Sequence, residues 1–238
     1  MSLDNTTVVV LGGSSGIGLA TARAAQAAGA HVIITGRSSA RLTSASAQLA
    51  GGAQTRQLDA TDENATRDFF ASLTSLDHVF ITAGELVLDS KLAPTTSALH
   101  PALDTRFWGA LYAAKYAAPK IRAGGSITFM SGTASRRPLP GAAVATASCG
   151  AVDAFARALA LDLAPIRVNT IQPGYVDTPL FDGIFGADRD EILAAAGAKL
   201  PVGRIGRPEE IADAVLFLMR NGYVTGINLV VDGGGVLV

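Results

Sequence analysis

Two sets of residues in this chain have types and spacings suited to chemistry. The first is Gly12-Gly13-Ser14-Ser15-Gly16-Ile17-Gly18, preceded by apolar Val8-Val9-Val10-Leu11 and followed by an alanine-rich stretch. Strand, glycine turn and helix start, in that order, make a cradle for a phosphate. The glycines let the backbone turn tightly and approach a ligand, and the helix end offers N–H groups and a partial positive charge. The second set is scattered. Cys149 reads as a thiol nucleophile or, with no evident histidine partner, as a small buried residue. Arg106 suits an anionic substrate or a helix-surface ion pair. His100 either reaches a cleft from the start of its helix or is a structural or surface histidine. Ser131, Ser135 and Tyr175 could bind substrate, and Tyr175 could also donate a proton. Trp108 is most simply a core or interface anchor.

The elements that must position these residues alternate between strand-like and helix-like along the whole chain. That pattern predicts an α/β fold: one doubly wound, Rossmann-type parallel sheet of about seven strands with helices on both faces. Strands are expected at Val8–Leu11, His31–Thr35, Thr55–Leu58, His78–Ile81, Ser126–Met130, Arg167–Ile171 and Ile227–Val231. Between them, helices are expected over Ile17–Ala28, ended by Gly29, and over Arg41–Leu49, broken by Gly51-Gly52. Asp62 is placed to cap a helix running to about Leu73, with Phe69, Phe70 and Leu73 on its buried side. Leu99–Ile121 holds one long helix or two abutting ones, with Pro101 at a start. Ala142–Leu163 is a long alanine-rich helix. Leu180–Leu200 is an insertion with a short helix near Asp188–Ala196, of the kind that closes over sites. Pro208 opens a last helix with Glu209 and Glu210 in its first turn.

Composition excludes several alternatives. Of 238 residues, 49% are hydrophobic and 16% charged, which excludes disorder and allows one well-buried domain over residues 1–238. A formal net charge of −1 with no long run of like charges speaks against nucleic-acid binding. The single Cys149 cannot form an internal disulfide, which fits a reducing cytoplasm. The first residues carry Asp4 and no basic segment, against a secretory signal. The longest uncharged run, Asn5–Ala22, is too rich in glycine and polar residues to span a bilayer. A soluble cytoplasmic protein without membrane or metal partners is expected.

From Thr6 to Gly234 the chain resembles the short-chain dehydrogenase/reductase family. Residues 12–18 match the family's cofactor loop, with Leu11 where threonine is usual. Asp59 matches the acid that contacts adenine, with Ala60 beside it. Ala83-Gly84 matches the end of an Asn-Asn-Ala-Gly motif in which Ile81 and Thr82 replace both asparagines. Pro173-Gly174-Tyr175-Val176-Asp177-Thr178 looks like the nicotinamide loop. Arg207–Ala212 and Val231-Asp232-Gly233-Gly234 complete the match. The resemblance implies a nicotinamide dinucleotide held by Gly12, Ser14, Ser15, Gly16, Ile17, Gly18, Arg37, Asp59, Ala60, Ala83, Gly84, Pro173, Gly174, Val176 and Thr178. It also implies a homodimer or homotetramer paired through the helices at Leu99–Ile121 and Ala142–Leu163. Gly36-Arg37-Ser38 offers an arginine fork and no acid where the second strand ends, which favours NADP over NAD.

The family's chemistry uses a tyrosine, a lysine four residues later, a serine and an asparagine. Hydride addition to a carbonyl leaves an alkoxide that must be protonated in step. In this alignment the tyrosine position holds Ala145, the lysine position Cys149, the serine position Gly132 and the asparagine position Arg106. No tyrosine stands between Tyr116 and Tyr175. No residue is therefore assigned a standard catalytic role. Two functions follow: an oxidoreductase working by another route on a small-molecule substrate such as a quinone, or a non-catalytic NADP(H)-binding sensor or scaffold.

Overall fold

A computed structural model describes residues 2–82, 84 and 95–238. Seven strands form one parallel sheet: β1 Thr7–Leu11, β2 His31–Gly36, β3 Gln54–Gln57, β4 Leu76–Ile81, β5 Ile121–Met130, β6 Arg167–Pro173 and β7 Asn228–Val231. Their order is β3-β2-β1-β4-β5-β6-β7. The order reverses between β1 and β4, so the crevice where ligands bind in such sheets opens at the C-terminal ends of those two strands. The expected α/β sheet with helices on both faces is what forms.

Side chains alternate across the sheet and divide the core in two. Val8, Val10, Val32, Ile34 and Phe80 pack with α1 (Gly16–Ala27), α2 (Ser39–Ala47) and α9 (Pro208–Arg220). Val9, Leu11, Ile33, Val79, Ile81, Ile127 and Phe129 pack on the opposite face with α3 (Glu63–Ala71), α5 (Gly109–Ala117) and α6 (Ala143–Asp162). Strands apolar on both faces are thus a consequence of helices covering both. Asp62 caps α3 as expected, its carboxylate accepting from the Ala65 N–H at 3.0 Å. Phe69 and Phe70 are buried, while α3 ends at Ala71 and Leu73 packs on the core from beyond it.

The segment expected as one or two helices is two, α4 (Thr96–Leu103) and α5, joined by a π-helical turn at Asp104–Trp108. Pro101 does not begin a helix. It is the sixth residue of α4, which starts earlier than the proline rule suggests and forgoes one backbone bond there. α6 is the one described helix long and apolar enough to cross a membrane, with a mean hydropathy of 1.3. Here it lies against β6 and α4, and its inner face buries Ala145, Cys149, Val152 and Ala156. The insertion holds α7 (Asp182–Phe185) and α8 (Arg189–Ala198).

At the end of the sheet remote from the crevice, His78, Ser126 and Arg167 stand in register on β4, β5 and β6. His78 Nδ1 lies 2.9 Å from Ser126 Oγ, and Arg167 donates to the carbonyls of Leu218 and Met219 where α9 ends. Burial, with the Arg167 charge beside it, pushes His78 down to about 4 from its ordinary 6.5. The folded protein therefore holds His78 neutral where the unfolded chain would protonate it. Its contribution is complete above pH 6.5 and is lost as pH falls towards 4, at most about 3 kcal/mol. In urea unfolding at pH 7 and pH 4.5, the wild type should lose about 2 kcal/mol more than His78→Gln. Equal losses would remove His78 as the cause.

Candidate active site

Close backbone approach builds the glycine loop. Gly12 has φ +85°, and a Cβ on Gly18 would sit 2.2 Å from the Gly12 carbonyl oxygen. A Cβ on Gly13 would meet Ile34 at 2.7 Å. The N–H groups of Gly12 and Gly13 both donate to the Thr35 carbonyl at 3.0 Å, which ties the loop to β2. Thr82 pins it from the other side, its hydroxyl donating to the carbonyls of Leu11 (3.0 Å) and Gly12 (3.1 Å). Sequence reasoning treated Thr82 only as a lost asparagine and missed this role, because the pairing spans seventy residues. Ser15 stands at the N-cap of α1 but makes no side-chain cap, and no acid occupies the first turn. The first amides of α1, at Gly16, Ile17 and Gly18, thus face the crevice with their partial positive charge uncompensated.

The loop at residues 173–178 closes on this cradle. Thr178, buried, would touch a Cβ on Gly16 at 3.3 Å. Gly174 donates to the Val231 carbonyl, and a Cβ there would meet Asp232 at 2.8 Å. Pro173 is buried at the end of β6. Val176 forms a parallel bridge with Gly206 through the neighbouring groups: Gly206 donates to Tyr175 O and Asp177 donates to Gly206 O. In that geometry the Val176 N–H and C=O point to the opposite edge.

Arg37 and Asp59 line one open cleft of about 620 Å³, with Thr61, Asp104, Trp108 and Tyr112 opposite. The Asp59 carboxylate accepts from the Thr61 N–H (3.0 Å) and hydroxyl (2.8 Å), which fixes its orientation. Ala60 is buried, with both its carbonyl group and its methyl group against Gly109. Ser38 caps α2, its hydroxyl oxygen accepting from the Arg41 N–H at 3.3 Å. Trp108 is half-exposed and stacks with Tyr112, so it is not a core residue. The cleft-lining part of Trp108, Tyr112 and Thr61 was not legible, since it depends on the π turn. His100 is exposed and does not line this cleft. Ala83 lies outside the described residues.

Of the second set the structure brings Arg106, Ser131, Ser135 and Cys149 together beyond the ends of β4 and β5, while His100, Trp108 and Tyr175 stand elsewhere. Arg106 is 93% buried in the middle of the π turn; its Nη1 donates to the Ser131 carbonyl at 3.2 Å. The guanidinium lies over Gly84, where an added Cβ would meet Cζ at 3.2 Å. Ser131 Oγ donates to the Cys149 carbonyl at 3.3 Å, and a Cβ on Gly132 would meet Cys149 Sγ at 3.4 Å. Ala145, buried, sits one turn before Cys149 on α6. One turn further on, Asp153 is buried and fully engaged. It accepts from Ser135 Oγ (2.7 Å), Gln172 Nε2 (2.6 Å) and Thr170 Oγ1 (3.2 Å), so Ser135 is held away from a substrate role.

A family model described as enoyl-(acyl carrier protein) reductase matches residues 12–235. The short-chain dehydrogenase/reductase ATR9 of Stachybotrys chlorohalonatus is 34% identical over 97% of each chain. The chain belongs to the short-chain dehydrogenase/reductase family. Two solved members are similar throughout. One is a small-chain dehydrogenase in complex with NADPH, 34% identical with a TM-score of 0.86 over 99% of this chain and 100% of the other. The second is the MalC reductase/Diels-Alderase of Malbranchea aurantiaca, 30% identical with a TM-score of 0.92 over 99% and 98%.

Within this family member, Arg189 at the start of α8 ties the insertion to the loop at residues 173–178. It pairs with Asp177, with Asp182 at 2.7 Å and with Asp190 at 2.7 Å. The hydrogen bonds it donates to Asp177 and Asp190 hold the Arg189 pKa above its ordinary range. The carboxylates are exposed, so the pairs order the segment more than they stabilise the fold. In Arg189→Gln, amide exchange across residues 177–198 should quicken several-fold, with Tm falling by no more than about 3 °C. Unchanged exchange there would show that the insertion is held by other contacts.

Proposed function

We propose that this protein binds NADP(H) and reduces, by hydride transfer, a substrate that needs no protein-donated proton. The observation that carries the proposal is the uncapped N-terminus of α1 meeting Thr178 across a glycine loop that a Cβ at position 18 would fill. The amides of residues 14–18 would hold the pyrophosphate, Asp59 and Ala60 the adenine, and Arg37 the 2′-phosphate. Ala83-Gly84 would leave room for the ribose, and the Val176 backbone with Thr178 would hold the carboxamide. When bound, the nicotinamide supplies a hydride. The NADPH complex of a relative supports the choice of cofactor.

The proton side departs from the family. Arg106, Gly132, Ala145 and Cys149 stand at the positions aligned with its four catalytic residues. A guanidinium cannot donate a proton near neutral pH, and an alanine or glycine has none to give. At those three positions a simple ketone would leave a strongly basic alkoxide without a donor. A quinone leaves a hydroquinone anion, stable enough to take its proton from water. The same four residues favour a second reading, a non-catalytic NADP(H) sensor or scaffold. In either reading we place the protein in the cytoplasm, on the strength of its lone buried thiol, Cys149. We also place two copies together through α5 and α6, whose alanine-rich faces allow close approach.

Fluorescence titration should show NADPH binding more tightly than NADH, and Arg37→Ala should weaken NADPH about tenfold with little effect on NADH. Bound NADPH should be oxidised by quinones and not by simple ketones. Turnover of ketones would refute the account of the proton. Tight binding without turnover on any acceptor would select the sensor, and binding of neither nucleotide would reject both readings.

A further inference from the structure

Arg106 is a buried cation beside the crevice that no carboxylate among the described residues answers. Among the described residues it makes a single hydrogen bond, from Nη1 to the Ser131 carbonyl, and forms no ion pair. Its Nε is buried with no partner. A guanidinium taken this far from water without a carboxylate is costly, and burial of a charge is ordinarily answered by an opposite one. The π turn that presents it is itself a strained device: the Gly109 N–H reaches back five residues to Asp104 O. That bulge puts Arg106 over Gly84 at the end of β4 and against Ser131 at the end of β5. Cys149 lies on the other side of Ser131, short and uncharged, so the positive charge at this place comes from α4–α5 and not from α6.

We infer that Arg106 is the substrate-binding residue of the site, and that its guanidinium takes an oxyanion of a conjugated carbonyl substrate. This rests on the proposed hydride transfer only for the substrate class. A quinone that accepts a hydride becomes a hydroquinone monoanion with its charge on oxygen. Arg106 stabilises that oxygen by charge-assisted hydrogen bonds while water supplies the last proton. The step needs no acid from the protein. A planar donor fork also favours a flat, delocalised oxyanion over a compact alkoxide.

The probe is 4-nitrophenol, whose phenolate is coloured, with its methyl ether 4-nitroanisole as the uncharged control; neither needs the nucleotide. The wild type should bind the phenolate and prefer it to the ether by about tenfold, which lowers the apparent pKa of the bound phenol by about one unit. Arg106→Met and Arg106→Gln should lose that preference, and Arg106→Lys should keep part of it. Thermal melting establishes that each variant is folded, and the comparison of phenolate with ether in the wild type stands without them. Equal binding of phenolate and ether, or full preference in a folded Arg106→Met, would overturn the assignment. NADPH titration of the same samples separates the two proposals. Phenolate preference without nucleotide binding would reject the hydride reading and leave Arg106 in place. Nucleotide binding without phenolate preference would do the reverse.

Discussion

The approach of Gly18 to the Gly12 carbonyl is the contact on which the site depends. A methyl group at position 18 would stand 2.2 Å from that oxygen, well inside van der Waals contact. Only because it is missing can α1 start directly above the end of β1, with its first amides turned into the crevice. The parallel sheet needs the same geometry, since α1 must return over the sheet to place β2 beside β1. One steric fact therefore serves the fold and the phosphate cradle together. Thr82 and Thr35 then hold the loop from the strands on either side.

The opposite wall of the crevice follows a different logic. Its residues are set by the π turn and by the packing of α6 on β6, not by a glycine turn. Arg106 gains its position because the turn accommodates one extra residue, and the cost of the wider hydrogen bond is met by burial of Ala102, Gly109 and Ala110 around it. Asp153 shows what a satisfied buried carboxyl group looks like in the same region: three donors, one from Ser135 and two from β6. Arg106 has one acceptor. The contrast between a filled and an unfilled polar site is what separates the scaffold from the binding residue here.

The strands and most helices were legible because each carries its own local signal. Asp62 caps α3 and Pro208 opens α9, and Val8–Leu11 is apolar on both faces as a doubly covered strand must be. The glycine loop was legible for the same reason, since its strain is local. Pro101 misled because the helix rule for proline describes isolated helices. In α4, packing against α6 holds a helix that begins five residues earlier.

By itself the sequence determined the alternation of strands and helices and the glycine turn that opens α1. Those are properties of neighbours along the chain, and hydrophobic period, glycine spacing and capping residues report them directly. Only the tertiary structure decided that Arg106 is buried and nearly unpartnered, that Ser135 is taken by Asp153, and that Trp108 opens onto a cleft with Arg37 and Asp59. Each of these depends on groups brought together from distant segments. Whether a polar group is satisfied is a property of its surroundings in space, and no local pattern records it.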